Sequence, residues 1–273
     1  MIDLLNYKHG SYDFGRVMRR IIMAVAIVLI FLLRKPLMIG TFITAGIKPS
    51  RGWREQLQTG FILGAGMFIF YVTLLWTIGI QIFQPDTKSF SDITFRLLTL
   101  LLIAGLIGCI EEILFRGFIL QSMLTDIRTV SAVFISSLFY SLLHFFKTKL
   151  SVSPGIQPFI GFIVVYQSFE NIIVNFTAIL PSVIGLFLVG VVLSYACLRT
   201  KSLYLAIGLH AGWVFLIKAN RLFFDQTRTK LEWLFGDKEM VTGVLGWIFL
   251  TCTLILIRLV TKEPSSAEQL NNI

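Results

Sequence analysis

Long apolar runs alternate with short polar breaks along most of the chain. Val17–Leu33 comes with a basic N-terminal stretch (Arg16, Arg19, Arg20). It ends in Arg34-Lys35-Pro36 without a small-residue cleavage site, which predicts a retained first span after the polar lead-in Met1–Arg16. Lys35–Leu57 mixes apolar residues with Lys48, Arg51, Trp53 and Arg54, the pattern of an interfacial helix lying on a membrane. Gln58–Phe83 predicts a second span, with Gly60, Gly64 and Gly66 placed to let another helix approach. After a polar turn at Pro85–Asp92, a helix is expected from about Ile93 to Thr125, roughly 50 Å at 1.5 Å per residue. Thr125–Val130 turns the chain into a span over Val130–Phe146, followed by the polar loop Lys147–Gln157. Pro158–Leu180 starts apolar but is interrupted by Gln167, Ser168, Glu170, Asn171 and Asn175, which predicts a re-entrant or interfacial segment. Pro181–Leu198 spans, Arg199–Lys201 caps it, and Ser202–Ile217 is shorter. Lys218–Met240 is a mixed-charge loop with an amphipathic piece at Leu231, Trp233, Leu234 and Phe235. Val241–Val260 is the last span before the polar tail Thr261–Ile273.

Composition turns this pattern into a class. Hydrophobic residues make up 56% of the chain, charged ones 14%, and the mean hydropathy is +0.81. The expected fold is all-α: a polytopic transmembrane bundle of about seven to eight membrane helices around an intramembrane polar cavity. Residues 1–273 form a single integral-membrane domain with a flexible polar tail at 261–273. The expected location is a multi-pass position in a bacterial cell membrane rather than a eukaryotic endomembrane, with the lipid bilayer as partner. The net charge of +9 reads as loop and helix-end Lys and Arg, because no basic run with interleaved aromatics stands outside the apolar segments. Nucleic acid is therefore not an expected partner. Cys109, Cys197 and Cys252 lack CxxC spacing, which argues against disulfides and Cys-based metal sites. No internal repeat is visible, so the paired interrupted helices of many transporters are missing.

The chemistry concentrates in Glu111-Glu112-Ile113-Leu114-Phe115-Arg116-Gly117, directly after the apolar run Leu97 to Ile110. Each ionised group at bilayer depth costs at least about 2.5–3.5 kcal/mol, so such a cluster needs a use. Glu112 and Arg116 are four apart with the acid N-terminal, the better order for an ion pair on one helix face. Glu111 is rotated by about 100° and has Phe115, not a cation, at i+4. Glu112 is expected to be held ionised by Arg116, and Glu111 to be freer to exchange a proton.

The chain has three histidines, and His9, in the polar lead-in, reads as solvated. His144 and His210 lie inside apolar segments. If the helices flanking Thr125–Val130 are antiparallel, the glutamates and His144 each sit about 16 residues from the turn, near 20–25 Å deep. His210 lies about ten residues, or 15 Å, past Arg199–Lys201 and joins that layer if the turn faces the same side. Singly, each feature has a structural reading: an ion pair, packing histidines, helix contacts at Ala104, Gly105 and Gly108, and a packed Cys109. Two acids, an arginine and two imidazoles at one depth instead point to a reactive polar site. A carboxylate beside a neutral imidazole can activate water as a general base, and a second imidazole can donate to an oxyanion. Glu111, His144 and His210 could alternatively ligate zinc. The HExxH helix of zincins is absent.

Glu111-Glu112-xxx-Arg116-Gly117, then Phe139-Tyr140-xxx-His144, then Arg199-Thr200-Lys201-Ser202-Leu203-xxxxxx-His210-Ala211-Gly212-Trp213 form an ordered set. This set resembles the three motifs of the CAAX protease and bacteriocin-processing family of intramembrane proteases, of the Ras-converting CAAX endopeptidase type. The likeness covers roughly Gly105–Val214, within a family-like catalytic core of about 93–217. It implies an intramembrane endopeptidase acting on a peptide or protein substrate at the membrane. Glu111 and His144 would position and activate the water, His210 would take the oxyanion side, and Glu112 and Arg116 would organise the site. The resemblance leaves zinc and a metal-free, glutamate-dependent mechanism both open.

The chain departs from the family pattern twice. Tyr140 stands where the second motif has Phe, adding a hydroxyl one turn from His144. Val214 stands four residues after His210, where the third motif ends in Asn or Asp. An apolar side chain cannot donate to an oxyanion, and losing one such donor typically costs about 10²–10³ in rate. The alternative reading is therefore a catalytically weak or inactive member acting as a membrane scaffold or immunity-type protein.

Overall fold

The structure is a computed structural model that describes residues 52–85, 89–145, 160–227, 230–236 and 240–261. In chain order the elements are α1 (Trp53–Thr77), β1 (Gln81–Phe83), α2 (Phe90–Leu124), α3 (Thr129–Leu143), α4 (Ile160–Val174) and α5 (Phe176–Thr200). They are followed by α6 (Tyr204–Phe223), β2 (Phe224–Gln226), α7 (Glu232–Phe235), a 3₁₀ turn Met240–Thr242 and α8 (Val244–Val260). Helix dominates, as an apolar chain without water to satisfy its backbone requires. Three described helices, α1, α2 and α5, are long and apolar enough to cross a membrane, and α3 and α8 are shorter apolar helices. The described residues thus supply three such helices rather than the expected seven to eight. The expected span Val17–Leu33 and the tail beyond 261 lie outside the described residues.

The centre of the molecule is α6, buried continuously from Leu205 to Trp213. It packs on α1 through reciprocal glycines. A Cβ at Gly60 would run into the Leu205 carbonyl, and one at Gly208 into the Leu57 carbonyl. A Cβ at Gly64 would stand 2.5 Å from the Leu209 carbonyl, and one at Gly212 stands 2.7 Å from that of Phe61. Two small-xxx-small pairs therefore bring the backbones together on either side of His210. Gly66, expected in the same contact, faces open space. Gly208→Ala should accordingly lower the melting temperature in detergent, because neither backbone can yield; overpacking costs about 1–3 kcal/mol, occasionally more. Gly66→Ala should leave it unchanged or slightly higher, and equal effects of the two would contradict this packing.

Helix α2 lays a stripe of Ala104, Gly108 and Glu112, at i, i+4 and i+8, against α6. A Cβ at Gly108 would sit 3.1 Å from the Ile207 carbonyl, whereas one at Gly105 would meet nothing within 4 Å. Leu98, Leu102 and Leu106 form an exposed apolar row on α2, a surface suited to lipid. The helix starts at Phe90, three residues earlier than expected, where the Ser89 hydroxyl accepts from the Asp92 amide at 3.3 Å. Within it, Ile113–Leu120 is π-helical, a widened stretch that begins one residue after Glu112.

Several expected boundaries shift. Trp53–Leu57, read as the end of an interfacial helix, is the first turn and a half of α1. The second span ends at Thr77, not Phe83, because Gly79 takes a left-handed conformation and Gln81–Phe83 becomes a strand. That strand pairs antiparallel with β2, Ile82 opposite Asp225, and ties the α1–α2 connection to the end of α6. The segment read as re-entrant, Pro158–Leu180, contains the helix α4 and the first turn of α5. Helix α5 runs through Pro181 in its second turn and gives up only the bond that Pro cannot donate. Helix α6 extends to Phe223, past the expected end at Ile217.

Candidate active site

Glu112 is fully buried because it continues the α2 stripe that faces α6. Its Oε1 accepts from Arg116 Nη1 at 2.9 Å, and His210 Nδ1 on α6 donates to the same oxygen at 2.7 Å. Arg116, 1% exposed, also donates Nη2 to the Gly190 carbonyl of α5 at 3.1 Å. Gly190 can present that carbonyl because a side chain there would collide with Ser137 of α3. Ser141 fastens the same two helices by donating to the Val183 carbonyl at 2.7 Å. One ion pair thereby joins α2, α5 and α6, and two orientation bonds make it a network and not an isolated contact.

Glu111 lies at the edge of that stripe, and its Oε2 has no hydrogen-bond partner among the described residues. This oxygen stands 3.8 Å from His144 Nε2 and 3.8 Å from His210 Nε2. The two imidazoles, from α3 and α6, thus converge on one carboxylate oxygen. His144 is placed by a different device than expected. It caps α3 instead of lying within it, and its Nδ1 donates to the Tyr140 carbonyl at 2.9 Å. Because a carbonyl only accepts, the proton is fixed on Nδ1, and neutral His144 aims the Nε2 lone pair at Glu111. The carboxylate of Glu112 fixes His210 in the same sense. Exposure falls from 29% at the His144 side chain through 12% at Glu111 to 5% at His210, so the cluster opens on the His144 side.

The expected Glu112–Arg116 pair is present, and all five expected polar residues, Glu111, Glu112, Arg116, His144 and His210, meet in one cluster. Val214 is half-buried, four residues beyond His210 on the same helix. Sequence reasoning passed over Gly190, whose contribution is a backbone carbonyl, and Phe115, whose ring stands edge-on to Tyr140 at 4.9 Å. Cys109 is exposed, not packed as expected.

Metal binding was an open expectation for Glu111, His144 and His210. Among the described residues, no group of three or more His, Cys, Asp or Glu is arranged to hold an ion. Ligands about 2.1 Å from a tetrahedral zinc stand about 3.4 Å apart, closer than the 3.8 Å separations here. The donors do not fit zinc, and a metallopeptidase assignment is unsupported.

Residues 93–216, which contain this whole cluster, match the family model described as Type II CAAX prenyl endopeptidase Rce1-like. The segment belongs to that family. No curated protein and no solved structure matches the chain. The Rce1-like match begins just inside α2 and ends within α6, so it takes in the four helices that supply Glu111, Glu112, Arg116, His144, His210 and the Gly190 carbonyl. The match to a protease family and the three helices long and apolar enough to cross a membrane point to an integral membrane protein.

Proposed function

We propose that the chain is a membrane-embedded endopeptidase in which Glu111 activates water against a peptide bond. The observation that carries this reading is the convergence of His144 Nε2 and His210 Nε2 on Glu111 Oε2, each at 3.8 Å. Polar atoms at that separation are too far for a direct hydrogen bond and suit a bridging water. Glu111 takes a proton from that water as its oxygen attacks the carbonyl carbon, with the His144 lone pair holding the second proton. The carbonyl oxygen becomes an oxyanion. His210 can donate to it only as an imidazolium, since its Nδ1 proton is committed to Glu112; with His210 charged, Glu111, Glu112, Arg116 and His210 sum to zero. Collapse breaks the C–N bond, and Glu111 returns its proton to the leaving amine.

The test is cleavage by the purified protein in detergent of a membrane-peptide library containing prenylated and unmodified members. Cleavage that disappears in Glu111→Ala upholds the reading. An inactive wild type, or equal cleavage by the variant, overturns it.

Val214 favours a second reading, a non-catalytic scaffold that keeps the polar cluster for structure. Val214→Asn separates the two, because Asn is close to Val in volume and lies at i+4 from His210. For a protease lacking one oxyanion donor, turnover should rise by up to about 10²-fold. For a scaffold, the variant should only lose stability, since a buried amide without partners costs about 1–3 kcal/mol. A folded Val214→Asn protein no faster than wild type would remove the reason to regard Val214 as a lost donor.

A further inference from the structure

Several helix ends meet at one end of the molecule, away from the β1–β2 ribbon. The Trp53 ring at the start of α1 stands 5.1 Å from the Tyr204 ring at the start of α6. Gln121, near the end of α2, donates to the Cys197 thiol, near the end of α5, at 3.9 Å. Arg199, in the last turn of α5, donates to the Thr261 hydroxyl just past α8 at 3.3 Å. This end carries Arg54, Arg128, Arg199, Lys201 and Arg258 against the acids Glu55 and Asp126. Arg54, Arg128, Lys201 and Arg258 are exposed, and none of the four pairs with an acid among the described residues. At the ribbon end, Arg96, Lys218, Arg221 and Lys230 are nearly matched by Asp92, Asp225 and Glu232, and the first three cations have interaction partners. Lys201 adds a backbone observation. It follows α5 in the left-handed conformation, φ 50°, and is the one non-glycine residue with positive φ among the described residues. Glycine takes that conformation without steric cost, so the lysine is held here against backbone preference. Strain of this kind concentrates where a side chain is in use.

We propose that this end is a docking surface for the headgroups of anionic phospholipids. Lys and Arg at the ends of spans attract an anionic leaflet, and the attraction fades within a Debye length, about 8 Å at physiological ionic strength. Trp53 and Tyr204 supply the amphipathic rings that settle at headgroup level, and the Arg54 guanidinium lies over the Trp53 ring at 5.3 Å. A lipid surface fits these cations better than an acidic peptide does. They come from the ends of α1, α5 and α8 and from the α2–α3 turn, a plane of helix ends rather than a groove. A flat anionic surface meets all of them at once. Seating the protein this way also sets the depth of the polar cluster. His210 lies about 9 Å in from Tyr204, six residues along α6 at 1.5 Å each. The docking itself does not depend on the proteolytic reading.

The test is thermal unfolding of the full chain in phosphatidylcholine nanodiscs, with and without phosphatidylglycerol. Wild type should melt higher in the anionic discs, and each exposed cation removed should take back up to about 2–4 °C of that gain. The main variant is Arg54→Gln with Lys201→Gly. In phosphatidylcholine alone it should melt as high as wild type or higher, because glycine relieves the left-handed turn, while its gain from phosphatidylglycerol shrinks. Arg128→Gln, on a different turn, should shrink the gain too, and Arg221→Gln at the ribbon end should leave it intact. Each comparison sets one protein in two lipid compositions against itself, so a loss of stability common to both cancels. Equal melting of wild type in the two discs overturns the proposal. So does a gain that survives both cationic-end variants, or one that Arg221→Gln reduces as much. A gain reproduced by inorganic phosphate in phosphatidylcholine discs would assign these cations to a free anion and overturn it as well.

Discussion

Glu111→Gln is expected to lower turnover by about 10²–10⁴ while thermal unfolding in detergent stays where it is. The magnitude is that of a lost general base. Fold retention follows from the surroundings. Among the described residues Glu111 makes no ion pair with Arg or Lys, and its Oε2 has no hydrogen-bond partner. Replacing it by an isosteric amide strands no Arg or Lys, His210 keeps Glu112 as its partner, and removing a carboxylate from membrane depth relieves desolvation. The amide protons can meet the Nε2 lone pair of His144. What it cannot do is accept a proton from water and return it to a leaving amine. Activity within about tenfold of wild type would assign the base elsewhere, His144 first, since its Nε2 lone pair reaches the same point.

The same carboxylate pair shows how much of the site was legible in the sequence. Acid and arginine at i, i+4 read correctly because that spacing is fixed by the helix itself and hardly depends on what surrounds it. The depth of His144 was also readable, since two antiparallel helices from one turn rise at the same rate. The histidine nevertheless caps its helix, which no periodicity reveals in a segment apolar on every face. For the same reason the π-helical stretch Ile113–Leu120 left no trace, because a change of turn size is visible only against an amphipathic pattern. The β1–β2 ribbon depends on residues 81–83 meeting 224–226, a pairing that local propensity does not encode. Pro181 marked a false boundary. A proline in the second turn costs one backbone bond, and the helix runs on through it. Among the early glycines, spacing alone could not separate Gly60 and Gly64, which meet α6, from Gly66, which does not. Tyr140 was legible as a departure from the family pattern; its packing against Phe115 and Arg116 emerged only when α2 and α3 were brought together.

Arg116→Ala should have the largest effect on stability. The guanidinium donates to Glu112 on its own helix and to the Gly190 carbonyl on α5, and it lies over the Tyr140 ring. Its loss leaves Glu112, fully buried, with only His210 as partner. It also leaves a carbonyl unpaired and removes the face that holds Tyr140. Breaking a buried ion pair from one side costs about 3–5 kcal/mol. At about 2–4 °C per kcal/mol, the melting temperature in detergent should fall by at least about 6 °C. Activity should disappear as well, since Glu112 would no longer present His210 in place. The double variant Arg116→Met with Glu112→Gln distinguishes charge from packing. It restores apolar volume and removes the stranded carboxylate, so most of the lost stability should return while activity does not. An Arg116→Ala protein that melts with wild type would mean that Glu112 meets water at this depth, and the closed side of the site would have to be redrawn.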